Sequence, residues 1–259
     1  MFGEYKEGLY SMALFAGIKN YFAARKTKRI ERAGKLIKNA KAIRDDRWAA
    51  LEYLAKDLKD AEAAIPLLLQ RFEYSLEHGI NDTREKELAQ EGIVRFGDLA
   101  IPHLKNWLQQ TSRIAWPIKC LKSLGKETVV IESLKGALNL EDVSFSQHDV
   151  DKNYDILCYL REYQVTDSID QIAHFLQDSD ERVRFAAAEL LIEQKTEVIK
   201  AKVSRFLKDD SSENRRLRQA VIQAFVDRGW QVDSPEEFVD GWITEGVRLN
   251  DKGQVQLLS

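Results

Sequence analysis

Apolar residues recur every three to four positions along most of the chain, and this spacing predicts amphipathic helices. In the first clear example the apolar residues on one side of the helix are Ile30, Ala33, Ile37 and Ala40. Proline and glycine, which interrupt helices, number only 4 and 13 among 259 residues. We therefore expect long uninterrupted helices, and an all-β fold is excluded.

The helical pattern repeats along the chain. The segment Ala64–Leu69 (AIPLLL) recurs as Ala100–Leu104 (AIPHL), so that the two prolines stand 36 residues apart. Weaker copies begin near Val130, Ile169 and Val198, and each is predicted to be a helix of about three turns. A period of this length is typical of stacked supersecondary units.

Partner helices of a different composition lie between these first helices. They are rich in small residues, and three of them open with an acid or an arginine at Asp46, Glu181 and Arg215. The other three are predicted at Glu87–Phe96, Arg113–Leu124 and Asn153–Tyr163. Each first helix with the partner that follows it forms a hairpin, which gives about six hairpins. Such hairpins are too short to bury their own apolar faces, so neighbours must stack.

These residues resemble the HEAT-repeat family, most closely between residues 169 and 229. In that region an acid precedes the second helix, and a Val-Arg step and small or apolar positions follow it; the matching residues are Asp178, Val183, Arg184, Ala187 and Leu190. Pro66 and Pro102 match the proline often found in the first helix of such units. The resemblance covers roughly residues 25–229, and the unit at 128–164 departs most because it has no Val-Arg step.

The resemblance implies an all-α fold, namely a right-handed α-solenoid of about six HEAT-like hairpins whose second helices line a concave surface. Residues 25–229 would form this repeat region. Residues 1–24 are predicted to be an apolar N-terminal helix or cap, and residues 230–259 a small mixed α/β C-terminal cap.

The C-terminal cap is predicted from turn and capping signals. Ser234–Glu237 has the pattern of a capping box with proline at the first helical position, which predicts a short helix to about Asp240. Alternating apolar residues flank the turn Asn250–Gly253 and predict a β-hairpin; they are Val247, Leu249, Val255 and Leu257. Trp230–Val232 is predicted to add a third strand.

The charge is unevenly distributed although the net charge is only −3. Basic residues are concentrated in residues 25–47, directly after the apolar stretch Leu9–Ala24. That stretch is too short to span a bilayer, and no secretory signal is evident. An anionic membrane surface could be contacted by Lys28, Arg32, Lys35 and Lys38. The favoured alternative is that Leu9–Ala24 caps the repeats and the basic residues form a solvated helix face.

Signatures of catalysis and of metal binding are missing from the sequence. No nucleotide-binding glycine loop or Gly-x-Ser-x-Gly motif occurs, so we expect no cofactor. The densest group of possible cation ligands comprises Glu141, Asp142, His148, Asp149 and Asp151, and an ordinary solvated loop is the favoured interpretation. The two cysteines, Cys120 and Cys158, are expected to be reduced, half-buried thiols in a cytoplasmic protein.

One enzymatic alternative comes from DNA glycosylases for alkylated purines, which resemble this architecture. The nearest counterparts of their site residues are Asp98, Trp107, Arg113, Trp116, Lys119 and Lys122. Residues 61–259 are net acidic, whereas DNA binding favours a basic surface, so nucleic acid is disfavoured as a partner. Packing between helices is the favoured role of the two tryptophans.

The leading hypothesis is a noncatalytic scaffold that binds a protein or peptide on its concave face or at its ends. The candidate partner-binding residues on the second helices are Arg182, Glu189, Glu193, Arg215, Arg216, Gln219 and Gln223. Arg184 and Arg218 are instead expected to pair with acids of their own or neighbouring repeats; the candidate acids are Asp178, Asp209 and Asp210.

Overall fold

The computed structural model describes residues 21–140, 146–194 and 196–258. These residues are mostly helical and end in a small three-stranded antiparallel sheet. The chain divides into two compact units, Met1–Lys126 and Glu127–Ser259. The boundaries after residues 24 and 229 that the sequence suggests stay a prediction.

The first unit consists of helices joined by short turns. In the described residues its helices are α1 (21–37), α2 (Arg44–Glu52), α3 (Ala61–Leu69), α4 (Gly79–Val94), α5 (Ala100–Gln110) and α6 (Ala115–Ser123). A π-helical turn, Tyr53–Asp57, extends α2, and a 3-10 turn, Gln70–Glu73, extends α3. A further 3-10 turn, Gly97–Leu99, leads into α5.

The helices of the first unit pack as hairpins that lie against one another. The first helices α3 and α5 contact the partners that follow them, α4 and α6. The second helix α4 also packs on α2 before it and on α6 after it, and α3 packs on α5. Within this unit, first helices therefore neighbour first helices and second helices neighbour second helices, as expected for stacked hairpins.

Close helix contacts in the first unit depend on small residues. A β-carbon added at Gly34 of α1 would lie 2.9 Å from Leu67 Cδ2, so α1 approaches α3 closely. On the apolar side of α1, Ala33 and Ile37 are buried as predicted. Ala40 is exposed, contrary to the predicted apolar face, because α1 ends before it and the chain turns.

The second unit repeats the hairpin arrangement with shorter first helices. Its helices in the described residues are α7 (Glu127–Ala137), α8 (Gln147–Leu160), α9 (Ile169–His174), α10 (Glu181–Glu193), α11 (Val198–Val203) and α12 (Arg215–Arg228). Helix α10 packs between α8 and α12. The helices that begin near Ile169 and Val198 reach the predicted length only together with a 3-10 segment, because each has six α-helical residues before the chain tightens. These segments, Phe175–Gln177 and Ser204–Lys208, keep apolar side chains buried while the chain turns.

The chain ends in a sheet with the order β1-β2-β3, formed by β1 (Trp242–Thr244), β2 (Val247–Leu249) and β3 (Val255–Leu257). The predicted hairpin is confirmed, since Val247 pairs with Leu257 and Leu249 with Val255. Gly253 has a φ of 72°, a backbone conformation that glycine adopts easily in such a turn.

Two details of the C-terminal prediction are wrong. Trp230–Val232 is not a strand: Gln231 forms only an isolated bridge to Gln254, and Trp242–Thr244 is the third strand instead. The predicted helix from Ser234 to Asp240 is two 3-10 turns. Asp240 has a φ of 52°, and this left-handed conformation is incompatible with a continuing right-handed helix.

An arginine at the fourth residue of α2, α10 and α12 ties each of these helices to the segment that leads into it. The guanidinium groups donate to backbone carbonyls, from Arg47 to Ala42 at 2.8 Å, from Arg184 to Asp178 at 2.9 Å and from Arg218 to Leu207 at 3.1 Å. In each of these three helices, an arginine side chain thus fixes the segment before the N-terminus by a hydrogen bond to a backbone carbonyl.

A second group of arginines connects the C-terminal ends of consecutive second helices. Arg95, directly after α4, donates to the carbonyl of Leu54 at 3.1 Å, at the end of α2. Arg228, at the end of α12, donates to the carbonyl of Gln194 at 3.2 Å, directly after α10. The last carbonyls of a helix lack hydrogen-bond partners within that helix. In each unit, an arginine of the following hairpin donates a hydrogen bond to one of these carbonyls.

Candidate functional site

A cavity of about 580 Å³ lies between α12 and the C-terminal sheet, and we call it the α12 groove. Ile222 of α12, Val247 of β2 and Leu257 of β3 give it an apolar lining. Of these, Leu257 is 55% exposed, whereas Ile222 and Val247 are buried. Three candidate partner-binding residues also line the groove, namely Arg215, Gln219 and Gln223.

Helical geometry explains why these three residues share the groove. Arg215, Gln219 and Gln223 are spaced four residues apart, so their side chains lie one above another on the same face of α12. All three are exposed, while Val221 and Phe225 are fully buried on another face of the helix. The helix ends at Gly229, whose φ of 61° suits the left-handed position after a helix.

The charged residues of the groove differ in whether they are already paired. Arg218 is held by Asp210 at 2.6 Å and also donates to the carbonyl of Ile243 in β1. Arg215 and Glu245 line the groove and make no ion pair or hydrogen bond to any described residue. Arg215 and Glu245 are therefore available to pair with charged groups of a partner.

Asp209 is an ionised, hydrogen-bonded carboxylate at the edge of the groove. Burial opposes its charge, but hydrogen bonds from Ser211 and Asn214 outweigh this and hold its pKa below the usual range. The Ser211 backbone N–H lies 2.9 Å from Oδ1, and the Asn214 amide nitrogen lies 2.7 Å from Oδ2. Asp209 thus shapes the loop before α12 and has few acceptor positions left for a partner.

The other predicted partner-binding residues lie outside the groove lining. Glu189 and Glu193 both accept hydrogen bonds from Arg161, directly after α8, at 2.6 Å and 3.1 Å. Arg182 pairs with Asp180 at 3.0 Å and with Asp151 of α8 at 3.1 Å. These residues are engaged in ion pairs, most of which connect α8 with α10.

Arg216 points toward α10 rather than toward the groove. Its guanidinium lies 4.3 Å from the ring centroid of Phe185, a cation–π contact. Arg184 is buried, and besides its backbone bonds it donates to Asn214 at 2.8 Å and lies 3.7 Å from Glu213. Arg218 pairs with Asp210 as the sequence suggests, whereas Arg184 uses the carbonyl of Asp178 and not its carboxylate.

A buried ionic cluster in the first unit was not foreseen from the sequence. Arg71 is fully buried and lies 2.7 Å from both Glu85 and Asp82. Glu85 also pairs with Arg47 at 2.8 Å, and Asp82 pairs with Lys86 at 2.7 Å. A signal was present, because Arg71 follows Leu68 by three residues and Glu85 precedes Leu88 by three, so both charges fall at apolar positions of their helices.

The hydrogen bonds of the cluster stabilise its charged forms. The pKa of Arg47 is raised, chiefly by the hydrogen bonds to Glu85. Burial works against ionisation of Asp82, but hydrogen bonds from Lys86, Arg71 and the Leu76 N–H hold its pKa below the usual range. A cavity of about 470 Å³ adjoins Arg47.

The residues considered for nucleotide chemistry have structural contacts. Asp98 is exposed and pairs with Lys126 at 2.5 Å. Trp116 stacks on Phe72, with 5.8 Å between ring centroids, and the Lys119 ammonium lies 4.2 Å from the Trp116 ring. Trp107 is half-buried. The remaining two residues of the glycosylase comparison are Arg113 and Lys122.

The basic residues proposed to contact an anionic surface lie on the exposed side of α1 or directly after it. Lys28, Arg32, Lys35 and Lys38 are exposed and form no ion pair with any residue in the described ranges. Residues 9–20 of the apolar stretch Leu9–Ala24 lie outside the described residues. Among the helices that the structure describes, none has both the length and the apolar character to cross a bilayer.

The possible cation ligands are only partly within the described residues, since Glu141 and Asp142 are not. Asp151 accepts from Gln147 at 2.8 Å in addition to Arg182, and His148 lies 3.3 Å from Asp149. Within residues 21–140, 146–194 and 196–258, no three His, Cys, Asp or Glu side chains are grouped to hold a metal.

The two cysteines are free thiols. Cys120 is completely buried, and burial raises the pKa of its thiol from 9.0 to about 12. Cys158 is partly buried, and burial also raises its pKa. The expectation of two half-buried thiols is therefore wrong for Cys120, which packs inside the core. Neither thiol has the lowered pKa of a nucleophilic cysteine.

The described chain thus presents an open groove beside α12 and a cation-rich cavity next to Arg47. No family model, curated protein or solved structure matches the chain. The function is therefore argued from these two sites.

Proposed function

We propose that the protein is a noncatalytic binding protein whose α12 groove holds a segment of a partner protein. The observation that carries this proposal is the combination of an apolar lining with polar groups that have no partner in the described chain. An apolar side chain seated over Leu257 would remove exposed apolar surface from water, which is favourable.

The charges suggest the chemistry of the partner segment. A carboxylate near Arg215 would form a charge-assisted hydrogen bond, the stronger class of such bonds. Glu245 would face a basic group in the same way. We therefore propose a segment with an apolar residue flanked by an acidic and a basic one.

The amides of Gln219 and Gln223 supply donors and acceptors for the backbone of such a segment. Gln219 makes no hydrogen bond to a described residue, and Gln223 donates to Asp227 at 2.7 Å on the helix surface. Both side chains are exposed, so their hydrogen bonds exchange with those of a partner at little cost.

We also propose that the hairpins form a right-handed HEAT-like solenoid. Two features support the repeat: the arginine at the fourth residue of α2, α10 and α12, and the bonds from Arg95 and Arg228 to the preceding second helices. Small-angle X-ray scattering tests this proposal, because a solenoid gives an elongated pair-distance distribution and a spherical globule a symmetric one.

The binding proposal is tested with peptides selected from a random phage-displayed library on the full chain. Dissociation constants of labelled peptides are then measured by fluorescence anisotropy against three proteins: the unchanged chain, Arg215→Glu and Arg248→Glu. Arg248 is the matched control, because it is exposed in β2 next to Val247 and alternation along the strand places it on the opposite face.

We expect Arg215→Glu to weaken binding of acidic peptides by about tenfold or more, and Arg248→Glu to leave it within about twofold. Replacing Gln219 with Trp fills the groove and should weaken the same peptides. Peptides that bind all variants equally well would exclude the α12 groove as the binding surface, and a library that yields no binder would argue against the function itself.

A further inference from the structure

The cavity in the first unit differs from the α12 groove in that basic residues outnumber acidic ones in its lining. It lies between the α1–α2 turn, which supplies Lys41 and Ala42, and the segment Ser75–His78 that leads into α4. Arg44 and Arg47 complete the α2 side. Its volume of about 470 Å³ falls within the range of about 300–1,000 Å³ that is typical of small-molecule sites.

The charges around this cavity do not balance. Lys41, Arg44 and Arg47 line it with Glu77 as the acidic residue of the lining. Lys41 and Arg44 are exposed, and their side chains have no ion pair or hydrogen bond to a described residue. Two cations at the mouth are therefore available for a ligand.

The ionic cluster behind the cavity adds to this positive potential. It contains three cations, Arg47, Arg71 and Lys86, but only two carboxylates, Asp82 and Glu85. One positive charge is thus uncompensated at a site where Arg47 and Arg71 are 5% and 0% exposed. A buried charge is poorly screened by solvent, so its field extends into the adjoining cavity.

Arg47 contributes positive charge to the cavity, but its hydrogen-bond donors are already used within the protein. Its Nη1 donates to the carbonyls of Ala40 and Ala42, and its Nε and Nη2 donate to Glu85. Lys41 and Arg44 therefore have to supply the direct hydrogen bonds to a ligand, together with the Ser75 hydroxyl and the Asn81 amide in the lining.

The helix ends at the cavity act in the same direction. Helix α2 begins at Arg44 and α4 at Gly79, and neither has a side chain that caps its N-terminal N–H groups. Such ends carry partial positive charge and favour anions. Asp45 and Asp46 in the first turn of α2 and Asp82 in the first turn of α4 oppose this effect, but none of the three lines the cavity.

We propose that this cavity binds a small phosphomonoester, with the phosphate oxyanion between Lys41, Arg44 and Arg47. A tetrahedral dianion satisfies two free cations and one excess buried charge better than a single carboxylate does. The apolar lining by Ala40, Ala42 and Leu76 accommodates the carbon part of the ligand. The proposal does not depend on the function of the α12 groove.

The test is isothermal titration calorimetry of the full chain with phosphoserine, serine and inorganic phosphate at constant ionic strength. Lys41→Ala/Arg44→Ala removes the two free cations. Lys59→Ala/Arg84→Ala is the matched control, because it also removes one lysine and one arginine from exposed positions of the first unit that do not line the cavity. Circular dichroism and the urea midpoint establish that both variants are folded.

We expect saturable binding of phosphoserine and inorganic phosphate but not of serine, weakened about tenfold or more by the cavity variant and less than about twofold by the control. Equal affinity of both variants, or no saturable binding up to about 10 mM, overturns the proposal. Binding to phosphatidylcholine vesicles with and without phosphatidic acid tests whether the phosphomonoester is that of a lipid headgroup. Cavity-dependent binding to the phosphatidic acid vesicles, without binding of the soluble phosphates, would also overturn it.

Discussion

Arg47 of α2 and Glu85 of α4 form a two-bond ion pair inside the first unit, with Nε 2.8 Å from Oε2 and Nη2 2.8 Å from Oε1. The side chains are 5% and 2% exposed. Glu85 also accepts a hydrogen bond from Arg71 at 2.7 Å, so two buried guanidinium groups share this carboxylate. This relationship joins two consecutive second helices.

We predict that Glu85→Gln destabilises the protein strongly. The substitution keeps the size of the side chain but leaves the buried Arg47 without a carboxylate and Arg71 with Asp82 alone, and breaking such a pair costs about 3–5 kcal/mol. The free energy of unfolding in urea measures the effect. Glu52→Gln is the control, because Glu52 pairs with Lys56 on the surface, where a pair is worth only about 0.5 kcal/mol or less. Similar urea midpoints for the two variants would contradict the stabilising role of the cluster.

We predict that Gly92→Ala is destabilising although alanine favours helices more than glycine does. A β-carbon at Gly92 of α4 would lie 2.7 Å from the backbone Cα of Ala55, and relieving that overlap requires the helices to separate. Overpacking of this kind costs about 1–3 kcal/mol and outweighs a helix preference of about 1 kcal/mol. The thermal midpoint of unfolding measures the change.

Gly136→Ala in α7 is the control for this prediction. No atom lies within 4 Å of a β-carbon added at Gly136, so only the helix preference acts and the variant should be as stable as the unchanged protein or more so. If Gly92→Ala is also neutral, α4 and the end of α2 are not in close contact in solution.

We predict that Cys120 makes stability fall in alkaline solution. Its pKa is about 12 in the folded chain and 9.0 without burial, so above pH 9 only the unfolded state loses the thiol proton. Deprotonation therefore favours unfolding as the pH rises from about 9 toward 12, and the loss between pH 8 and pH 10 is about 1 kcal/mol.

Cys120→Ala separates this effect from other groups that titrate in the same range. The variant is less stable overall because a buried side chain is truncated, but its stability should fall less steeply between pH 8 and pH 10. Parallel curves of unfolding free energy against pH for the two proteins would mean that the thiol ionises normally in the folded state.

The local pattern of the sequence was sufficient to locate most of the helices and the terminal hairpin. Helical periodicity and small-residue composition identify α10 and α12, and strict alternation around Asn250–Gly253 identifies β2 and β3. These features depend on residues within a few positions of one another. The left-handed conformation of Asp240 ends the predicted helix early.

The amino-acid sequence by itself determined that this protein is built from helical hairpins, and it placed Arg215, Gln219 and Gln223 among the candidate partner-binding residues of the second helices. Only the tertiary structure decided which apolar residues would face them, because Leu257 reaches the groove from a strand far along the chain. The same holds for the partners of the buried charges, since Arg47 and Glu85 are 38 residues apart. Periodicity indicates which side of a helix is buried, but the chain must fold before distant charges share one low-dielectric interior.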